Sequence, residues 1–169
     1  MLEQFVLVAE LIASIAVIGS LVYVARQLKQ NTEAIHAQSR QAIMTNATSE
    51  IFEVLENPSL VLSIAKDGDL SIEERIELSC YFTASFRSRE FAWLQWRHGV
   101  IDEAQWETEK LVTEFFLDSS RVRQWWGQLG RMAFSKEYRN FIDALIFDRP
   151  ATDTSFQGNI NRAGAQSST

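Results

Sequence analysis

The sequence predicts an all-α protein, with one amino-terminal transmembrane helix continuing into a cytoplasmic helical bundle of about four to five helices. Three observations carry this expectation. Seven glycines and two prolines in 169 residues leave little material for the turns of a sheet-rich fold. Phe5 to Ala25 reads FVLVAELIASIAVIGSLVYVA, with Glu10 as its one charge. Downstream, helix-opening residues (Ser71, Asp102, Ser135) alternate with helix-ending ones (Gly99, Pro150).

The anchor is assigned to residues 1–26. At 1.5 Å per residue the apolar run covers roughly 30 Å, the thickness of a bilayer's hydrocarbon core. The alternatives are a buried helix of a soluble core and a cleaved secretory signal. Against the signal, Met1 to Gln4 holds no lysine or arginine and carries Glu3. Arg26, Lys29 and Arg40 follow the span and no basic side chain precedes it, which places the carboxyl-terminal bulk in the cytoplasm and the amino terminus outside. Tyr23 stands where an inner-interface aromatic belongs, and Cys80, the only cysteine, falls in a reducing compartment where it needs no disulfide.

Inside the span, Ala9, Ala13, Ala16 and Ser20 recur at steps of four, three and four. Such a stripe lets helix backbones approach closely and predicts a homo-oligomer interface, although alanine and serine are common in any apolar helix. Glu10 and Ser14 are the membrane-embedded polar pair. A carboxylate at this depth costs about 2.5 to 3.5 kcal/mol unless protonated or paired. It reads either as an ion or proton site or as a carboxyl bonded to a neighbouring helix or snorkelling outward, and no cation lies within the span to pair with it.

Residues 27–57 are expected to form a helical stalk. No glycine or proline interrupts Gln27 to Glu56, and Leu21, Leu28, Ile35 and Ala42 fall seven apart, but Gln27, Asn31 and Gln38 weaken a strict coiled-coil pattern. Pro58 stops this helix, and Ile51, Phe52, Val54 and Leu55 mark where it joins the core.

The helical domain covers 58–148. A turn at Lys66 to Leu70 precedes Ser71 and Glu74, a capping-box pair opening a helix from Ile72 to about His98. Asp67, Asp69, Ser71 and Glu73 alternate as in a calcium loop, yet the sixth position is Ile72 rather than glycine and the twelfth is Leu78 rather than glutamate. Asp102 caps a helix from Glu103 to about Leu117. Ser119 or Ser120 opens another through Met132, and Ser135 opens a last one ending near Phe147. The small, polar stretch 149–169 is read as a disordered tail.

Chemistry is sought first in FRSREFAWLQWRHGVIDEAQW, Phe86 to Trp106. Arg87, Arg89, Glu90 and Arg97 recur at helical spacings, and Arg87, Glu90 and Arg97 read as a structural polar clamp rather than as a ligand-orienting set. His98 beside Gly99 fits a helix end, and Cys80 has no activating partner nearby in sequence. No catalytic residue, cofactor motif or metal-ligand set emerges, since one cysteine and two histidines cannot form a standard structural zinc site. Trp125 and Trp126, among Arg121, Arg123 and Arg131, fit a packed amphipathic helix better than a face on the inner leaflet.

Ser20 to Ala42 (SLVYVARQLKQNTEAIHAQSRQA), the Phe86 to Trp106 stretch and FSKEYRNFID (Phe134 to Asp143) together resemble a widespread group of uncharacterised bacterial proteins, single-pass with an amino-terminal membrane helix and a helical cytoplasmic domain. The likeness covers Val17 to Ile146. It implies a bacterial inner-membrane location and no reaction.

The expected function is a membrane-anchored, self-assembling helical module that serves as scaffold or accessory subunit of a membrane complex, without catalysis. The alternative is a homo-oligomeric ion channel with one pore helix per subunit and Glu10 in or near the pore. The expected partners are the lipid bilayer, further copies of the chain and a second membrane protein. A formal charge of −6 argues against nucleic acid. Glu3 and Glu10 give −2 of it to the first twenty-five residues, leaving −4 for the rest.

Overall fold

A computed structural model describes residues 1–66 and 68–149. These residues form an all-α protein with no strand among them: α1 (Leu2–Glu56), α2 (Pro58–Ala65), α3 (Ile72–Arg97), α4 (Glu103–Leu117), α5 (Ser120–Gln128), a 3-10 turn (Gly130–Ala133) and α6 (Lys136–Asp148). Packing divides the chain into two units, Met1–Arg40 and Gln41 onward.

The first unit is helix throughout. It is long and apolar enough to cross a membrane, and its most apolar stretch has no residue buried by the protein. Ser14, Ser20 and Thr32 each return their hydroxyl to the carbonyl four residues back, on Glu10, Ala16 and Leu28 at 2.8, 2.8 and 3.0 Å. That habit satisfies a hydroxyl without a tertiary partner. The helix runs on through Asn31 without a break, as a stretch lacking glycine and proline should.

The second unit begins in the last turns of α1. Ile43 is its buried residue, and Asn46, Glu50 and Val54 lie partly covered on the same stripe. Pro58 ends α1 and also occupies the first turn of α2, where its missing N–H is no loss. The sequence expectation holds no helix over the eight residues of α2. Ser71 and Glu74 do form a capping box, with bonds of 3.1 and 2.7 Å. Lys66 Nζ adds a 2.8 Å contact, and together with the Ser71 N–H it holds the Glu74 carboxyl below the usual carboxylate range. Asp67, part of the calcium-loop pattern, lies outside the described residues.

Helix α3 stops at Gly99, whose φ of +68° suits glycine and ends the ladder after His98. Asp102 caps α4 by accepting from the Gln105 N–H at 2.9 Å, and Ser135 caps α6 through the Tyr138 N–H at 3.4 Å. One expected boundary is corrected: α5 ends at Gln128, not Met132. A Cβ on Gly130 would meet the Trp125 ring at 2.7 Å. Only glycine permits that close approach, and there the chain tightens into a 3-10 turn.

Phe82, Phe86, Trp93, Trp106, Trp125, Trp126, Phe134 and Tyr138 are buried together. Their rings meet mostly tilted or edge-on, as between Phe86 and Trp125 (5.4 Å) and Trp126 and Phe134 (5.3 Å). Each such pair adds about 0.5 to 1.5 kcal/mol beyond burial. Trp125 and Trp126 therefore belong to the core. The neighbouring arginines hold the fold: Arg121 donates to the Lys66 carbonyl at 2.6 Å, Arg123 to the Leu117 and Arg149 carbonyls, and Arg131 to Asp143 at 2.6 Å. Arg149 itself pairs with Glu114 and Asp118. It thus bounds the domain, and the rest of the expected tail, 150–169, lies outside the described residues.

Candidate functional site

Among the described residues, the buried polar side chains Ser85, Arg89 and Glu90 lie on α3, and others lie on α2, on α4 and just after α4. Leu78, Phe82, Phe86, Arg89 and Trp93 repeat at helical spacing and are all buried, so a charge stands where the period calls for an apolar side chain. Stranded alone, a guanidinium there would be prohibitively costly. Glu50 of α1 answers it with two parallel bonds, Oε1 to Nη1 at 2.9 Å and Oε2 to Nη2 at 3.0 Å. Nη1 also reaches the Ser85 carbonyl at 2.7 Å, and the guanidinium lies 4.5 Å from the centre of the Phe116 ring. The bidentate fork clamps α1 to α3 in one register.

Other polar groups surround this pair. Burial pushes the Glu109 carboxyl up, against the pull of Arg89. Burial likewise pushes up the phenols of Tyr81 and Tyr138. The Tyr138 hydroxyl, Ser85 Oγ and Arg89 Nε are buried with no hydrogen-bond partner among the described residues. Beside the pair opens a cleft of about 890 Å³, lined in part by Asn46 and Glu53 of α1, Leu60 of α2, and Ile76, Cys80 and Phe91 of α3.

Two members of the expected clamp come together. Arg87 Nη1 donates to Glu90 Oε2 at 2.8 Å. The other oxygen, Glu90 Oε1, accepts the Ser135 N–H at 2.9 Å, tying α3 to the cap of α6. Arg97 is corrected: it lies 5.1 Å from the centre of the Trp93 ring instead. Seven positions are two helical turns, about 10 Å, too far along one helix for it to reach Glu90 as readily as Arg87 does. In the first unit Glu10 is exposed, and the Ser14 hydroxyl bonds to its backbone carbonyl rather than its carboxylate. Ala9, Ala13, Ala16 and Ser20 are all exposed.

The Glu50–Arg89 pair escaped the sequence reading because its members are 39 positions apart. The signal that pointed to half of it was Arg89 itself, on the apolar stripe.

The chain matches no protein-family model, no curated protein and no solved structure. The assignment of a role therefore rests on the geometry. The buried pair joins α1 to α3. Among the described residues no three His, Cys, Asp or Glu gather closely enough to hold a metal ion.

The unpartnered Tyr138 hydroxyl makes a specific prediction. Tyr138→Phe removes an unsatisfied buried group of a kind that costs about 1 to 3 kcal/mol, so the variant should be at least as stable as the parent. Its folded pKa lies above the unfolded value of about 10, so this tyrosine's contribution is complete below that pH and is lost as pH rises past it. Alkaline titration followed by near-ultraviolet circular dichroism should show the variant unfolding at higher pH. An earlier alkaline transition would contradict it.

Proposed function

We propose that the chain is a membrane-anchored helical module of the bacterial inner membrane, with Phe5 to Ala25 spanning the bilayer and the second unit in the cytoplasm. It acts as scaffold or accessory subunit and not as an enzyme. One observation carries the reading: Phe5, Leu11, Ile18 and Leu21 are 76, 62, 61 and 65% exposed, and the rest of the stretch is like them. Moving a large apolar side chain out of water is favourable by about 1.5 to 3 kcal/mol, so the twelve Phe, Val, Leu and Ile side chains of the stretch outweigh the cost of Glu10 several-fold. The cytoplasmic assignment follows the basic residues Arg26, Lys29 and Arg40.

Within the second unit, the Glu50–Arg89 fork fixes the last turns of α1 to α3. Orientation is tested with Cys80, which is exposed. A membrane-impermeant maleimide should label it in inside-out vesicles and not in intact spheroplasts. Labelling in spheroplasts would reverse the topology and remove the cytoplasmic reading.

A further inference from the structure

We infer that α1 is one strand of a parallel, two-stranded coil whose other strand is α1 of a second copy, and that the Met44 to Leu55 face is its cytoplasmic seam. The inference rests on the membrane reading above and goes further, naming partner, orientation and register.

The second unit uses only one side of α1. Ile43 is buried there, and Glu50 bonds to Arg89 from the same stripe. The other side carries Met44, Ile51 and Leu55 at 68, 62 and 66% exposure, with Thr48 between them also exposed. Steps of four, three and four separate these four residues. That is the spacing of a coiled-coil seam rather than of a solvated face.

The same alternation, carried back along the helix without a skip, reaches Ala9 and Ala13. On the way it passes Tyr23, the glutamines 27, 30 and 41, and otherwise only small residues. Every Asp, Glu, Lys and Arg of α1, from Glu3 to Glu56, lies off this register. The composition changes as the solvent changes. From Ala9 to Ser20 the seam is alanine and serine, which permit the close approach that drives association in lipid, and Tyr23 closes it at the inner interface. Towards the carboxyl end it is methionine, isoleucine and leucine, which gain from leaving water. From Gln27 to Leu55 this register stays free of charge for about four heptads; its large apolar members are Met44, Ile51 and Leu55, while Leu28 and Ile35 lie off it.

A second copy is the occupant that fits both halves. Anchored in the same membrane with the same orientation, it presents the same register to itself, and glutamine amides that both donate and accept meet their own counterparts. The flanks agree. In a parallel pair, Arg26 faces Asn31, Glu33 faces Gln38 and Arg40 faces Thr45 of the second copy, so no like charges meet.

The test uses the full chain in native membranes, with Cys80→Ser removing the native thiol and one new cysteine per variant. Ala37→Cys, Met44→Cys and Ile51→Cys lie on the seam; Thr32→Cys and Ser49→Cys are exposed and off it. Mild oxidation should give disulfide-linked dimers at the three seam positions and little or none at the two others, because the bond demands close Cβ atoms. Equal yields at all five, or none on the seam, would overturn the inference. Met44→Glu with Ile51→Glu should abolish crosslinking through Ala37→Cys while leaving thermal unfolding of the domain unchanged, since both side chains are exposed. A persisting crosslink would also overturn it. Alkaline extraction of the same samples separates the two claims. A chain that is extracted yet crosslinks on the seam refutes the anchor alone. One that is retained but never crosslinks there refutes the coil alone.

Discussion

Arg89→Ala is expected to destabilise the helical domain by about 3 to 5 kcal/mol, because it leaves Glu50 facing the interior without its partner. The side chains of Arg89 and Glu50 are 5 and 20% exposed, so water cannot readily replace the guanidinium. The magnitude comes from desolvation rather than from the attraction itself. The paired substitution Arg89→Met with Glu50→Leu, which removes both charges and keeps apolar volume, should therefore recover most of the loss. Denaturant unfolding of the full chain in detergent, followed by tryptophan fluorescence, measures both. If the single variant lost under about 1 kcal/mol, the pair would be behaving like a surface ion pair, and the attachment of α1 to α3 would have to come from elsewhere.

Trp126→Ala carries the second large effect, about 3 to 5 kcal/mol. The indole is 2% exposed, packs on Phe86 and Phe134, and donates from Nε1 to Asp143 at 2.9 Å. Asp143 keeps Arg131 as a partner, so most of the loss should come from the cavity. Trp126→Phe should lose much less. The same denaturation experiment checks it, and membrane association decides between two roles for this helix: a lipid-facing Trp126 would lose binding with little change in stability, whereas the core residue does the reverse.

Local chemistry made most of the helices legible. The Ser71, Asp102 and Ser135 caps are sequence patterns because a cap involves residues two or three apart, and Gly99 marks a left-handed position that other residues avoid. What failed was decided by contacts distant in sequence. Helix α2 was missed because Pro58 read only as a stop, although the same ring suits a first turn. The early end of α5 depends on Trp125 lying over Gly130, which no periodicity records. Arg87 and Glu90 were within sight as neighbours on one helix. Arg97 was grouped with them by spacing alone, and the face of Trp93 claimed it. The Arg89 partner lies on another helix, and only the fold brings Glu50 to it.

The central claim is that Phe5 to Ala25 crosses a bilayer, and alkaline carbonate extraction of membranes containing the full chain tests it most directly. The parent protein should stay in the membrane pellet. Leu11→Arg with Ile18→Arg adds about 5 to 7 kcal/mol to the cost of insertion and should move the chain to the soluble or aggregated fraction. Release of the parent chain by carbonate, or unchanged retention of the double-arginine variant, would contradict the account.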